Sequence, residues 1–196
     1  MANTVQTSST NPQEVEHYLN GLSQYNVGPL WKFLRQALTP EPKSQAKPFL
    51  WRWQELRPQL LRAGELVSAA EAERRVLMLL NPGIEGRIAT THTLYGGLQL
   101  ILPGEVAATH RHTPNALRFI MEGEGAYTVV DGEKMTMSFG DFVLTPNWTW
   151  HDHGSESSGP VVWLDGLDIP LATLLEGIFF EPYPQEAQAW TKPLNN

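Results

Sequence analysis

The period of the apolar positions changes near Asn81-Pro82-Gly83, dividing the chain into a helix-rich first part and a strand-rich second part. Upstream, Asn11-Pro12 offers a side-chain cap and then a proline at the first helical position, where a missing N–H costs nothing. Shorter candidate helices lie around Leu30 to Leu38 and Gln54 to Arg62, separated by a Pro/Lys-rich linker from Thr39 to Pro48. Ser68-Ala-Ala-Glu71 reads as a capping box and predicts a helix through about Leu80, which would carry Arg74 and Arg75. Trp31, Trp51 and Trp53 are apolar mass that is expected to pack.

From about Thr90 to Ile169 the runs are short and alternating, punctuated by Gly, Pro and Asp, as in an all-β barrel or sandwich. Strand candidates are Gly97 to Leu102, Leu117 to Met121, Gly125 to Val130, Lys134 to Ser138, Asp141 to Leu144 and Val161 to Leu164. Asp131-Gly132, between Val130 and Lys134, is a hairpin signal, because a type I′ turn needs positive φ at both central positions. The tail from Leu171 to Asn196 is mixed and reads as a linker cut short. The expected organisation is a helical extension over 1–89, a β-barrel over 90–170 and a linker over 171–196.

Composition narrows the function classes. With 196 residues, 41% of them hydrophobic, the chain can bury one sizeable core and a small helical annex, hardly two full enzyme domains. A formal charge of -7 and no Lys/Arg stripe argue against a nucleic-acid groove or an anionic membrane surface, and favour a small-molecule site. The absence of cysteine excludes thiolate catalysis, iron-sulfur clusters and disulfides, leaving imidazole and carboxylate as strong metal ligands. Met1 to Gln13 is polar with no signal-peptide pattern, and no apolar run reaches membrane-spanning length, so a cytoplasmic protein is expected. Without a secretory signal, the glycosylation triplet at Asn147 to Thr149 is read as coincidence.

Four of the six histidines form two pairs, His110-Arg-His112 and His151-Asp-His153. Residues two apart on a strand share a face, so each pair can aim both rings into one cavity. Two such pairs in one small β-domain point to a metal site, whereas His17 and His92 read as ordinary surface histidines. Arg118 stands on the otherwise apolar run Leu117-Arg-Phe-Ile-Met, where a buried guanidinium needs an anion: either a structural carboxylate or the carboxylate of a substrate. Gln99 lies between Leu98 and Leu100 and shares a face with Gly97 and Tyr95, which makes the three candidates for a pocket wall. His153 reads as a substrate-facing or supporting group that could relay a proton, with Asp165 orienting its ring.

Gly104 through His110-Arg-His112 to Gly123, and Gly140 through Pro146 to His151, resemble the two motifs of the cupin superfamily, whose fold is a jelly-roll barrel or double-stranded β-helix. Ala116 stands where the first motif has its glutamate, Trp148 where the second has glycine, and Ser155 where it has asparagine. Within the cupins, Gly96 to Gly104, Ala116-Leu-Arg-Phe-Ile120, Trp148-Thr-Trp-His-Asp-His153 and Val161 to Pro170 resemble the gentisate, salicylate and 1-hydroxy-2-naphthoate dioxygenases. The expected fold is therefore mainly β, a cupin barrel with an N-terminal helical extension. With the glutamate missing, His110, His112 and His151 would bind the metal as three neutral imidazoles. Such an ion keeps its full double positive charge, which suits an anionic substrate plus O2, and Fe(II) has the redox change that zinc lacks.

The resemblance implies Fe(II)- and O2-dependent cleavage of gentisate between the carboxyl-bearing and adjacent hydroxyl-bearing carbons, giving maleylpyruvate. It implies Arg118 and Arg74 on the substrate anion, with Tyr95 leaning toward gentisate, and a homo-oligomer, by family a tetramer of two-cupin chains with iron in the first barrel. Salicylate or 1-hydroxy-2-naphthoate as substrate, a truncated cupin that binds a small aromatic acid without turnover, and a metal-dependent isomerase or storage-like cupin remain as alternatives.

Overall fold

The structure, a computed structural model, describes residues 11–185 and 187–195, apart from the side chain of residue 70. The first ten residues of the polar N-terminal stretch, and Asn196, lie outside the described residues. The chain divides into two units, Met1–Ser44 and Gln45–Asn196.

In the first unit, α1 (Pro12–Gly21) opens as expected, with the Asn11 side chain accepting from the N–H of Gln13 at 3.1 Å. A single 3-10 turn, Leu22–Tyr25, ends at Asn26 in the left-handed region. Helix α2 (Leu30–Ala37) follows, and none of its residues is buried. Trp31, expected to pack, is therefore exposed.

The second unit begins with α3 (Trp53–Leu66), which carries Pro58 inside it and buries Leu60. Leu60 packs with Leu98, Leu100 and Val162, and Trp53 joins the same cluster. The capping box at Ser68 forms on both sides, but it opens only a single turn, α4 (Ala69–Ala72). Glu73 then takes φ 52°, and the chain turns into strand β1 (Arg75–Met78). This corrects the expected helix to Leu80, and Arg74 and Arg75 are not helical. A four-residue helix gains little of the cooperative stabilisation of a longer one, whereas pairing with a neighbouring strand satisfies the β1 backbone at once.

Nine further strands follow: β2 (Tyr95–Ile101), β3 (Val106–His112), β4 (Ala116–Glu122), β5 (Glu124–Val130), β6 (Glu133–Ser138), β7 (Phe142–Thr145), β8 (His151–Ser155), β9 (Val161–Leu167) and β10 (Phe180–Pro182). A short helix, α5 (Ile169–Leu174), precedes β10. They form two antiparallel five-stranded sheets, ordered β1-β2-β9-β4-β7 and β10-β3-β8-β5-β6, the mainly β cupin architecture that the motifs predicted. Asp131 and Gly132 take φ 45° and 81° in the β5–β6 hairpin, as its sequence required. A cluster drawn from both sheets, including Ile101, Ile120, Met137, Val161 and Trp163, forms the core. The tail read as a linker instead supplies α5 and an edge strand paired with β3.

Candidate metal centre

His110 and His112 lie on β3 and His151 begins β8, and these strands pair with His110 opposite His151. The alternation of side chains brings the three rings together, with centroids 4.1 to 5.3 Å apart. One ligand nitrogen from each lies within 4.8 Å of the others. The tautomers are set by backbone carbonyls, which can only accept. Nδ1 of His110 faces the carbonyl of Ala108 at 3.2 Å, that of His112 the carbonyl of Pro114 at 2.8 Å, and that of His151 the carbonyl of Thr149 at 3.0 Å. Nδ1 of His112 and of His151 therefore carries the proton and Nε2 keeps a lone pair for a metal, whereas Nδ1 of His110 also meets the Arg74 guanidinium, which can only donate. Nε2 of His151 is buried with no hydrogen-bond partner, a costly condition that an ion would relieve. Burial, helped by nearby positive charge, holds His110 down to about 2 and lowers His112 and His151 as well, so all three rings are neutral. The donor set fits a divalent transition metal.

A cavity of about 340 Å³ adjoins the triad, walled by His110, His112, Arg74, Tyr95, Gln99, Arg118 and Asp165 together with Val76, Met78, Ile88, Leu167, Ile169 and Phe180. Arg118 is buried, donates to the hydroxyl of Thr145 at 2.5 Å and pairs through Nε with Asp165 at 3.4 Å, an ionic contact without hydrogen-bond geometry. The structural carboxylate considered for Arg118 thus exists, and the arginine still reaches the cavity. Burial pushes Asp165 up to about 6 against the pull of Arg118 and of the indole N–H of Trp163. Arg74, turned inward by the left-handed Glu73, donates to the carbonyl of Ala108 at 2.9 Å and touches Nδ1 of His110. Burial and the Arg118 charge bring it down to about 10, so it remains cationic at neutral pH.

Other expected residues separate. Tyr95 and Gln99 line the cavity, and burial and the Asp165 charge push Tyr95 up to about 12, keeping its hydroxyl a donor. Gly97 is not in the wall: a Cβ there would meet the Tyr95 hydroxyl and Cγ1 of Val76, each at 2.6 Å, so its role is to let Tyr95 lie along its own strand. His153 is fully buried between His151 and Trp163, outside the cavity wall. Its Nδ1 meets the hydroxyl of Thr128 at 2.6 Å, and that hydroxyl donates onward to the carbonyl of Asp152. Thr128, not Asp165, orients the His153 ring, which corrects the expected pairing. The sequence reading missed Thr145, Thr128 and Phe180, the last stacked on His110 at 5.1 Å. Phe180 fell in the presumed linker, and isolated threonines on strands carry no local signal.

A cupin-domain family model matches residues 97–167. Gentisate 1,2 dioxygenase 1 of Aquipseudomonas alcaligenes is 49% identical over 181 residues, covering 92% of this chain and 52% of that protein. A gentisate 1,2-dioxygenase of Ralstonia sp is 52% identical over 167 residues, covering 84% and 47%. The chain belongs to the gentisate 1,2-dioxygenase family of the cupin superfamily. A crystal structure of salicylate 1,2-dioxygenase from Pseudoaminobacter salicylatoxidans, with gentisate, superimposes with a TM-score of 0.86 at 36% identity, over 97% of this chain and 52% of that one. The chain spans about half the length of the curated relatives it matches. Among the described residues no helix is long and apolar enough to cross a membrane.

Trp148 stands where the general cupin motif has glycine, and it takes φ 62°, the left-handed region. Its N–H donates to the carbonyl of His112 at 2.9 Å, and its ring packs on Phe179 and under Arg111, contacts that offset the backbone cost.

Proposed function

We propose that this chain forms the iron-binding part of a ring-cleaving dioxygenase that uses Fe(II) and O2 to open gentisate between its carboxyl-bearing and adjacent hydroxyl-bearing carbons, giving maleylpyruvate. The observation that carries this reading is a triad of neutral imidazoles beside a cavity with two arginines and one carboxylate, a net positive wall for an anionic aromatic ring. Its volume falls within the roughly 300–1,000 Å³ typical of small-molecule sites. The gentisate and salicylate named for the relatives are both 2-hydroxybenzoates, which fits that chemistry.

His110, His112 and His151 would hold the ion. Bound there, Fe(II) supplies open positions for substrate oxygens and dioxygen, and the change of oxidation state that oxygen activation needs. Arg118 and Arg74 hold the substrate carboxylate, with Asp165 keeping the Arg118 guanidinium in plane. Val76, Met78, Ile88 and Phe180 enclose the ring and exclude water. Tyr95 donates to a ring oxygen, and Gln99 orients a second polar group of the substrate. His153, neutral and held through Nδ1 by the Thr128 hydroxyl, packs against His151 outside the cavity wall and supports that ligand ring rather than meeting the substrate. The reading makes the protein a cytoplasmic homo-oligomer, tetrameric by family likeness.

Anaerobic loading with Fe(II), then oxygen uptake with gentisate, salicylate and 1-hydroxy-2-naphthoate in turn, tests it. The expected result is uptake with gentisate and the appearance of maleylpyruvate. Iron and gentisate binding without oxygen consumption would instead make the chain a non-catalytic aromatic-acid binder.

A further inference from the structure

The middle residue of a His-x-His pair on a strand faces away from the two rings. Arg111 and Asp152 hold these positions, and the same tail segment grips both. The Arg111 guanidinium pairs with Glu181 of β10 at 2.7 and 2.8 Å and lies 4.3 Å over each of the Trp148 and Trp150 rings, which lead into His151. The Asp152 carboxylate, 1% exposed, accepts from the Thr109 hydroxyl at 2.6 Å and from the side-chain amide of Gln188 at 3.0 Å. Gln188 is itself buried. Its backbone N–H donates to the Thr109 hydroxyl, its side chain donates to the carbonyls of Val129 and Trp150, and its oxygen accepts from the N–H of Gly132.

These bonds sit beside an irregularity in the backbone ladder. The pairing of β3 with β8 slips between Ala107 and His110, so Thr109 lies in the irregular stretch beside the first ligand. Meanwhile β10 runs antiparallel to β3 with Phe180 opposite His112 and Pro182 opposite His110. Neither Glu181 nor Gln188 lines the cavity.

We propose that a strap formed by Phe180–Pro182 and by Gln188 is a positioning element of the metal centre. Glu181 and Gln188 fix the distance between the ligands on β3 and the ligand on β8, acting from outside through Arg111, Asp152 and Thr109. The inference rests on the reading of His110, His112 and His151 as metal ligands. It assigns a function to a segment that touches neither metal nor reacting atoms, apart from Phe180 on the cavity wall.

The test is anaerobic titration of the full chain with Co(II), followed by its visible absorption, alongside thermal unfolding of the metal-free protein. Gln188→Leu and Glu181→Ala are compared with Arg57→Met, which breaks the Arg57–Glu122 pair between α3 and β4. Each strap variant is expected to raise the Co(II) dissociation constant about tenfold or more and alter the band intensities, as loss of groups behind metal ligands does. Arg57→Met should lower the unfolding temperature and leave Co(II) affinity alone. Strap variants that bind Co(II) like wild type, or an equal loss in Arg57→Met, overturn the proposal. Should Gln188→Leu fail to fold, Glu181→Gln carries the test with about a threefold rise, since it keeps a hydrogen bond to Arg111 and drops only the charge. Wild-type protein that takes up no Co(II) overturns the ligand assignment and the strap with it, whereas normal uptake with unmoved variants overturns the strap alone.

Discussion

Replacing Arg118 by Met separates substrate binding from folding. The side chain is 5% exposed and faces Asp165, so its removal leaves a buried carboxyl without its cation. Breaking a buried ion pair on one side costs about 3–5 kcal/mol, and uptake of a proton by Asp165 offsets part of this. Raised to about 6 even beside Arg118, Asp165 moves higher once that charge is gone. For a domain of this size that loss lowers the unfolding temperature by roughly 2–4 °C per kcal/mol. In the double variant Arg118→Met/Asp165→Asn both charges are absent, and the asparagine oxygen can still accept from the Trp163 indole, so most stability should return. Substrate affinity should not return. A charge-assisted bond to the substrate carboxylate contributes about 1.5–3 kcal/mol, so KM for gentisate should rise roughly 10- to 150-fold in both variants. The assay is oxygen uptake by iron-loaded protein over a gentisate series, with metal content and thermal unfolding measured on the same samples. A stable double variant with wild-type KM would refute the assignment of Arg118 to the substrate and leave it a purely structural partner of Asp165.

His112→Ala should abolish stoichiometric Fe(II) or Co(II) binding and oxygen uptake while the far-ultraviolet circular dichroism stays native; retained binding would remove His112 from the ligand set. Gly97→Ala should cost about 1–3 kcal/mol by overpacking, because Val76 cannot swing clear, and should displace the Tyr95 hydroxyl, seen as a raised KM; unchanged stability and KM would contradict the close approach. The metal-free protein should lose stability on acidification. His110, His112, His151 and His153 titrate below the ordinary 6.5 in the folded state, so below that pH the unfolded chain binds more protons, and each ring costs about 1.4 kcal/mol per pH unit. Asp165 opposes this between its ordinary 3.8 and about 6, but one carboxyl stands against four imidazoles. Urea midpoints at pH 7, 6 and 5 should fall in that order, and a flat or rising series would contradict the burial of the rings.

Features with a local code were legible from the residues. The alternation that aims His110, His112 and His151 inward, the Asn11 and Ser68 caps and the Asp131-Gly132 hairpin each depend on a few neighbouring residues, and each is present. What the chain does between and beyond those signals was decided by pairing across long stretches of sequence. The Ser68 cap announces a helix, but β2 captures Arg75–Met78 as a strand, which turns Arg74 into the cavity. The tail has the composition of a linker, yet β3 takes its edge strand and Asp152 takes Gln188. Arg118 announced its need for an anion, but that Asp165 lies beside it follows from the register of β4 against β9, and that Thr128 rather than Asp165 meets His153 follows from β5 against β8. A buried polar side chain states by its chemistry that it needs a partner; which partner it finds depends on strand register, and that exists only once the sheets have formed.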